Sequence, residues 1–241
     1  MTPLGSPTTP QSPLTSRTAL LRGSGVLGMI SGVCWALETL FHPVRNITTL
    51  VEDAKASRWE LVYTIGLLGF VLALFALIGF YLIQRVQSGF LGLSGFVLLF
   101  TGLALGIGGY SPDAYVFPVL AKHSTTATLL LFSGPLLSGT LGKLLAASAL
   151  FQVLGYTLFG LASLRAKILS PWGTWLVKIG FVLTNLPILD AVIGIQTAYL
   201  LSNLGAILFG VGYIWWSAAL WAHPMAGART SPPTKKEEKH G

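Results

Sequence analysis

Glu38 and His42 stand four residues apart, the spacing that brings two side chains onto one face of a helix. A carboxylate and an imidazole on one face are potential ligands for a divalent metal. His123 and Asp190 would complete a four-ligand set if the fold carried them to the same surface. The tight spacing of a metalloprotease motif is absent, so any such site has to be assembled from distant segments. A second group of polar residues, Gln152, Lys178, Asn185 and Asn203, lies inside runs that are otherwise apolar. Ionisable and amide side chains in such places are costly and are candidates for function or for holding helices together. The single cysteine, Cys34, has no partner for a disulfide and is expected to be a small buried hydrophobe. The chain has no G-x-S-x-G, no H-E-x-x-H and no phosphate-binding glycine loop, and no residue is assigned a catalytic role.

The elements that must position these groups are set by composition. Of 241 residues, 53% are hydrophobic and only 10% charged, with a mean hydropathy of +0.71. Soluble domains carry about 25% charged residues, so lipid is the solvent that suits this chain. Six apolar runs follow one another: about 23–41, 61–83, 90–109, 144–164, 172–195 and 198–221. A helix needs about 20 such residues to span a bilayer. Period-2 alternation is absent, so a barrel is excluded and an all-α transmembrane bundle of six helices is expected over residues 21–222. Residues 1–20, rich in Pro, Ser and Thr, and the basic stretch 223–241 are expected to be disordered tails.

Residues 110–142 are ambiguous, because Lys122, His123 and three hydroxyl residues interrupt an otherwise apolar stretch. They are expected to form a loop with one or two short interfacial helices. If they crossed, the bundle would have seven helices. The six-span arrangement is preferred, since a Lys-His pair at mid-membrane is expensive. It places nine Lys and Arg residues on the side of both termini and five on the other, which makes the termini cytoplasmic. Glu38, His42, His123 and Asp190 then all lie on the outer side. Lys178, about 9 Å past Trp172, is expected to snorkel to cytoplasmic headgroups. Gln152 with Asn185, and Asp190 with Asn203, fall at matching depths and are expected to act as structural pairs.

Ser24, Gly28, Gly32 and Ala36 recur every four residues in the first run, as do Ser202, Ala206 and Gly210 in the sixth, and Gly102 and Gly106 in the third. Such stripes let helix backbones approach closely. They are expected to pack the bundle internally, with homo-oligomerisation as the alternative. Trp172, Trp175, Trp215, Trp216 and Trp221 are expected to form an interfacial belt. The net charge of +7 comes from residues at run ends and in the tail, not from a basic stripe, which excludes nucleic acid and points to the lipid bilayer as partner.

The punctuation of the runs also carries a resemblance. His42-Pro43, Gly66-Leu-Leu-Gly69, Gly79-Phe80-Tyr81, Gly92-Leu-Ser-Gly95-Phe96, Phe117-Pro118-Val119-Leu120-Ala121, Leu164-Arg165-Ala166 and Leu169-Ser170-Pro171-Trp172 look like those of small uncharacterised multi-pass membrane proteins of bacteria. The resemblance implies a bacterial inner-membrane location, no agreed activity and no catalytic residues. Three functions remain open from the sequence. The first is a non-enzymatic structural, sensing or accessory protein. The second is a small-molecule or ion transporter with Gln152, Lys178, Asn185 and Asp190 in one cavity. The third is a metal- or haem-binding protein using the outer Glu38, His42, His123 and Asp190. No cofactor is identified.

Overall fold

The computed structural model describes residues 17–42, 49–123, 139–185 and 199–222 in full, and the backbone of 13–16 and 195–198. The described residues form helices and no strand. They are α1 (Pro13–Phe41), α2 (Leu50–Lys55), α3 (Ser57–Ser111), α4 (Phe117–His123), α5 (Thr140–Ala166), α6 (Pro171–Thr184) and α7 (Ile195–Ala222). Helix α1 starts inside the stretch expected to be an N-terminal tail. Proline is favoured in a first helical turn because its missing N–H would have no partner there. The expected C-terminal tail, 223–241, lies outside the described residues.

Helix α3 is two helices in one. Gly89, at φ 54° and ψ −147°, breaks the helical backbone. The chain reverses there, so that residues 57–88 and 90–111 run antiparallel. The pairing of aromatic rings across the hairpin shows the reversal. Tyr81 stacks on Phe96 with centroids 4.6 Å apart, Phe70 meets Tyr110 at 5.2 Å, and Tyr63 meets Tyr110 at 5.5 Å. Further out still, Trp59 Nε1 donates to the Asp113 carbonyl at 2.7 Å. With α3 counted as its two arms, six main helices are present among the described residues, as expected. Among the same residues four elements are long and apolar enough to cross a membrane: residues 17–41, 57–123 (which contains the hairpin), 140–166 and 199–222.

The six helices form a closed ring in which each packs on the next. The order is α1, the first arm of α3, its second arm, α5, α6 and α7, which returns to α1. Glycines set the closest approaches. A Cβ on Gly32 would lie 2.7 Å from the Gly210 carbonyl oxygen, and one on Gly155 would lie 2.6 Å from the Leu99 nitrogen. The small-residue stripes are therefore occupied by contacts within the chain. Gly28 faces Ala76 and Ser217, Gly102 faces Gln152, and Gly106 faces Phe70. The half of the ring interior near Gly89 is filled by Phe80, Phe159, Tyr213 and Trp216, all fully buried or nearly so.

Two further boundaries differ from expectation. The second arm of α3 does not end in a loop at Tyr110. Instead it continues through a π-helical turn, Pro112–Val116, into α4. Pro112 has no N–H to give and its ring crowds the preceding turn, which favours a local widening. The Phe117 N–H bonds to the Pro112 carbonyl, five residues back. Helix α4 is one of the short helices expected there, packed on α2 through Leu50, Ala54, Phe117 and Ala121. Lys122 and His123 are exposed at its end, and residues 124–138 lie outside the described set. The fifth run, expected to be helical over 172–195, ends its helix at Thr184. At 14 residues this helix is about 21 Å long, short of a bilayer core of about 30 Å. It starts cleanly, with Ser170 as N-cap accepting from the Gly173 N–H and Pro171 in the first turn. It stops three residues before Pro187, which disfavours helix at the residue before it. Residues 186–194 lie outside the described set. The tryptophan belt also needs one correction. Trp172, Trp175, Trp215 and Trp221 are exposed, but Trp216 is 0% exposed and donates to Thr174 Oγ1 at 3.1 Å. Neighbouring residues on a helix point about 100° apart, so Trp215 and Trp216 cannot share an environment.

Candidate functional site

At the end of the ring away from Gly89 the interior is not filled. A cavity of about 550 Å³ lies between α1, both arms of α3, α5, α6 and α7. Glu38 reaches it from the last turn of α1 and His42 from the residue that follows the helix, on the same face as their spacing predicts. Glu38 is only 2% exposed, and the His42 Nε2 lies 3.7 Å from its Oε1. Both carboxylate oxygens accept hydrogen bonds. The Tyr110 hydroxyl donates to Oε1 at 2.6 Å, and the Thr39 hydroxyl donates to Oε2 at 3.1 Å. The His42 ring meets the edge of Tyr63 at 5.1 Å, which ties the imidazole to the first arm of α3. Gly66 is what lets that arm come so close. A Cβ there would fall 2.7 Å from Glu38 Cγ and 2.8 Å from the Tyr110 ring.

The rest of the lining carries amides and hydroxyls. Gln152 and Ser148, one turn apart on α5, converge on the carbonyl of Gly102. Ser148 Oγ donates to it at 2.8 Å, and Gln152 Nε2 reaches it at 3.4 Å and Ser148 Oγ at 2.9 Å. Asn185 lines the cavity at the end of α6 and donates to the Phe181 carbonyl of its own helix at 2.8 Å. Gln152 and Asn185 thus share the cavity, as their depths suggested, but each is anchored to its own neighbourhood. Ser202 on α7 donates to the Thr184 carbonyl at 3.0 Å, linking α7 to α6, and Asn203 and Tyr199 face the same space. Trp35, Phe70, Phe181 and Phe209 supply the apolar part of the wall.

Of the eight residues singled out from the sequence, five meet here: Glu38, His42, Gln152, Asn185 and Asn203. Lys178 does not line the cavity. Its stem crosses Gly160 of α5, and its Nζ sits 4.8 Å over the Trp175 ring. The transport expectation that it lines this cavity is corrected accordingly. His123 does not join Glu38 and His42, because no three His, Cys, Asp or Glu side chains converge among the described residues. Asp190, and with it the expected Asp190–Asn203 pair, lies outside those residues. Cys34 is buried on α1, as expected. Tyr110, Thr39 and Ser148 went unnoticed in the sequence, and Ser202 was read only as a small residue of the packing stripe on the sixth run. Tyr110 was hidden by the apparent loop after Gly108-Gly109, and Thr39 and Ser148 carry no spacing signal. No protein-family model matches the chain, and neither a curated protein nor a solved structure is similar to it.

Proposed function

We propose that the chain is a multi-pass protein of the bacterial inner membrane, with both termini cytoplasmic, that holds a small molecule within its helical bundle in a sensing or accessory role. The cavity is the observation that carries this reading. Its volume of about 550 Å³ falls within the 300–1,000 Å³ of small-molecule sites. Its lining mixes aromatic walls with a few fixed polar groups, as such sites do. The polar groups are held by the scaffold before any ligand arrives. Tyr110 and Thr39 fix Glu38, Ser148 and Gly102 fix Gln152, and Phe181 fixes Asn185. Preorganisation of this kind lowers the cost of binding.

The test is to fill the space. Ala149 lines the cavity from α5 between Ser148 and Gln152. Wild type and Ala149→Phe would be purified in nanodiscs and their bound small molecules compared by native mass spectrometry. A ligand retained by wild type and lost from Ala149→Phe is expected. Equal small-molecule content in both proteins would overturn the reading.

A further inference from the structure

We infer that the cavity selects a ligand whose polar end donates hydrogen bonds, a small alcohol on an apolar body, over a ketone or ether that can only accept. The inference rests on the cavity being a binding site and adds the chemical class of its occupant. It follows from where the hydrogens of the lining go. Ser148, Thr184 and Ser202 each have one hydroxyl hydrogen, and each gives it to a backbone carbonyl: Gly102 at 2.8 Å, Gly180 at 2.8 Å and Thr184 at 3.0 Å. A carbonyl only accepts, so the direction of these bonds is fixed. Ser148 can then only accept from Gln152, 2.9 Å away. That sets the Gln152 Nε2 toward Ser148 and Gly102 and leaves its Oε1 without a partner among the described residues. Asn185 is oriented in the same way, with Nδ2 on the Phe181 carbonyl at 2.8 Å and Oδ1 left over.

What these five side chains offer a ligand is therefore oxygen lone pairs. They form two groups, Ser148 with Gln152 on α5, and Thr184 and Asn185 at the end of α6 with Ser202 of α7. Back-bonding by a hydroxyl on its own helix, as at Thr184, is ordinary, but the Ser148 and Ser202 bonds cross between helices. The hydroxyl hydrogens of Thr39 and Tyr110 are committed too, to Glu38. His42 and Tyr199 are engaged in contacts of their own. Asn203 and the second N–H of Asn185 can still donate, but each stands beside an amide oxygen that accepts, so the excess of acceptors stays in place. In such a lining a hydroxyl regains the bond to water that it loses on entry. A carbonyl or ether oxygen meets mainly other lone pairs, and a buried polar atom left without a partner is costly. Phe70, Phe181 and Phe209 of the same lining suit the apolar body.

The experiment uses the full chain in nanodiscs of zwitterionic lipid, with empty nanodiscs as the blank. Isothermal titration would compare 1-phenylethanol with acetophenone, which share one carbon skeleton, carry no charge and differ chiefly in the O–H. Wild type is expected to bind the alcohol at least about fivefold more tightly, since one neutral hydrogen bond is worth about that much. Gln152→Leu removes an acceptor from the first group and Ser202→Ala one from the second. At least one of them is expected to lower the preference to about twofold or less. Ser202→Ala, the smaller change, carries the test if Gln152→Leu does not fold. Equal binding of the two probes in wild type, or tighter binding of the ketone, overturns the donor inference while leaving a binding cavity. So does a preference that persists in every folded variant. Binding of both probes that is absent or unaffected by Ala149→Phe overturns the cavity reading as well.

Discussion

Gly89 decides whether Tyr110 can reach Glu38 at all. If residues 57–111 formed one straight helix, Tyr110 would lie about 32 Å beyond Gly89 and far from α1. The reversal at φ 54° and ψ −147° brings it back. That region of backbone space is essentially reserved for glycine, and a side chain there costs about 1–3 kcal/mol. A Cβ added at Gly89 meets nothing within 4 Å. Clashes therefore contribute nothing, and the whole penalty is backbone strain. The stiffer unfolded chain of the alanine variant returns about 0.4–1 kcal/mol if the native conformation tolerates it, and nothing useful if it does not. Gly89→Ala should thus lose about 1–3 kcal/mol. Gly23 provides the control. It lies within α1 and also has nothing within 4 Å of an added Cβ. There alanine should be neutral or gain up to about 1 kcal/mol through helix propensity. Equilibrium unfolding in mixed micelles, followed by tryptophan fluorescence, measures both variants. If the two agree within about 0.5 kcal/mol, the usual scatter for surface substitutions, the chain does not turn at Gly89 and the geometry around Glu38 is wrong.

Cysteines at Tyr81→Cys and Phe96→Cys in a Cys34→Ala background should cross-link with oxidant, since the parent rings stack at 4.6 Å; a pair at Tyr81→Cys and Phe75→Cys on one arm should not. Gly102→Val should destabilise by about 1–3 kcal/mol through overpacking, because even a Cβ there would lie 2.8 Å from the Gln152 nitrogen; thermal unfolding in detergent reads the loss. Trp216→Phe should cost about 1 kcal/mol or more, leaving Thr174 without the indole N–H that now donates to it, whereas Trp215→Phe, on an exposed position, should be nearly silent in the same assay. Single cysteines at His123→Cys and Lys236→Cys should be labelled by an impermeant maleimide from opposite faces of the membrane, and labelling from one face would refute the six-span topology.

The apolar runs were legible because hydrocarbon demands them. Residues 61–83 and 90–109 read directly as helices, and the structure keeps both. The turn between them was harder to read. The helix runs on through Arg85 and Gln87 to Ser88, past Ile83 at the end of the second run. Polarity marks where a helix leaves lipid, not where it ends. The fifth run shows the converse. Leu186, Ile188 and Leu189 continue the apolar run beyond Asn185, so hydropathy extended the helix past its real end at Thr184. Glu38 and His42 could be paired from their spacing alone, because both sit on one helix. Tyr110 could not, since its partner Glu38 is 72 residues away and only the hairpin brings them together. The amides Gln152, Asn185 and Asn203 were found as polar exceptions in apolar runs. That they share a cavity with Glu38 depends on the order of helices around the ring, which no local pattern encodes.

The two halves of the ring interior are filled differently. Near Gly89, Phe80, Phe159, Tyr213 and Trp216 fill the ring, with Phe80 set edge-on to Tyr213 at 5.3 Å and to Trp216 at 5.5 Å. The same six helices could be filled in the same way at the other end. Instead they leave about 550 Å³. The space is partly open, so water, a lipid chain or a ligand can enter it. A lipid chain has nothing to offer Glu38, Gln152 and Asn203 on its walls. Water satisfies them but gains little from Trp35, Phe70 and Phe209. A molecule with a polar end and an apolar body satisfies both kinds of wall at once, and the distribution of side chains in this cavity favours that occupant over the other two.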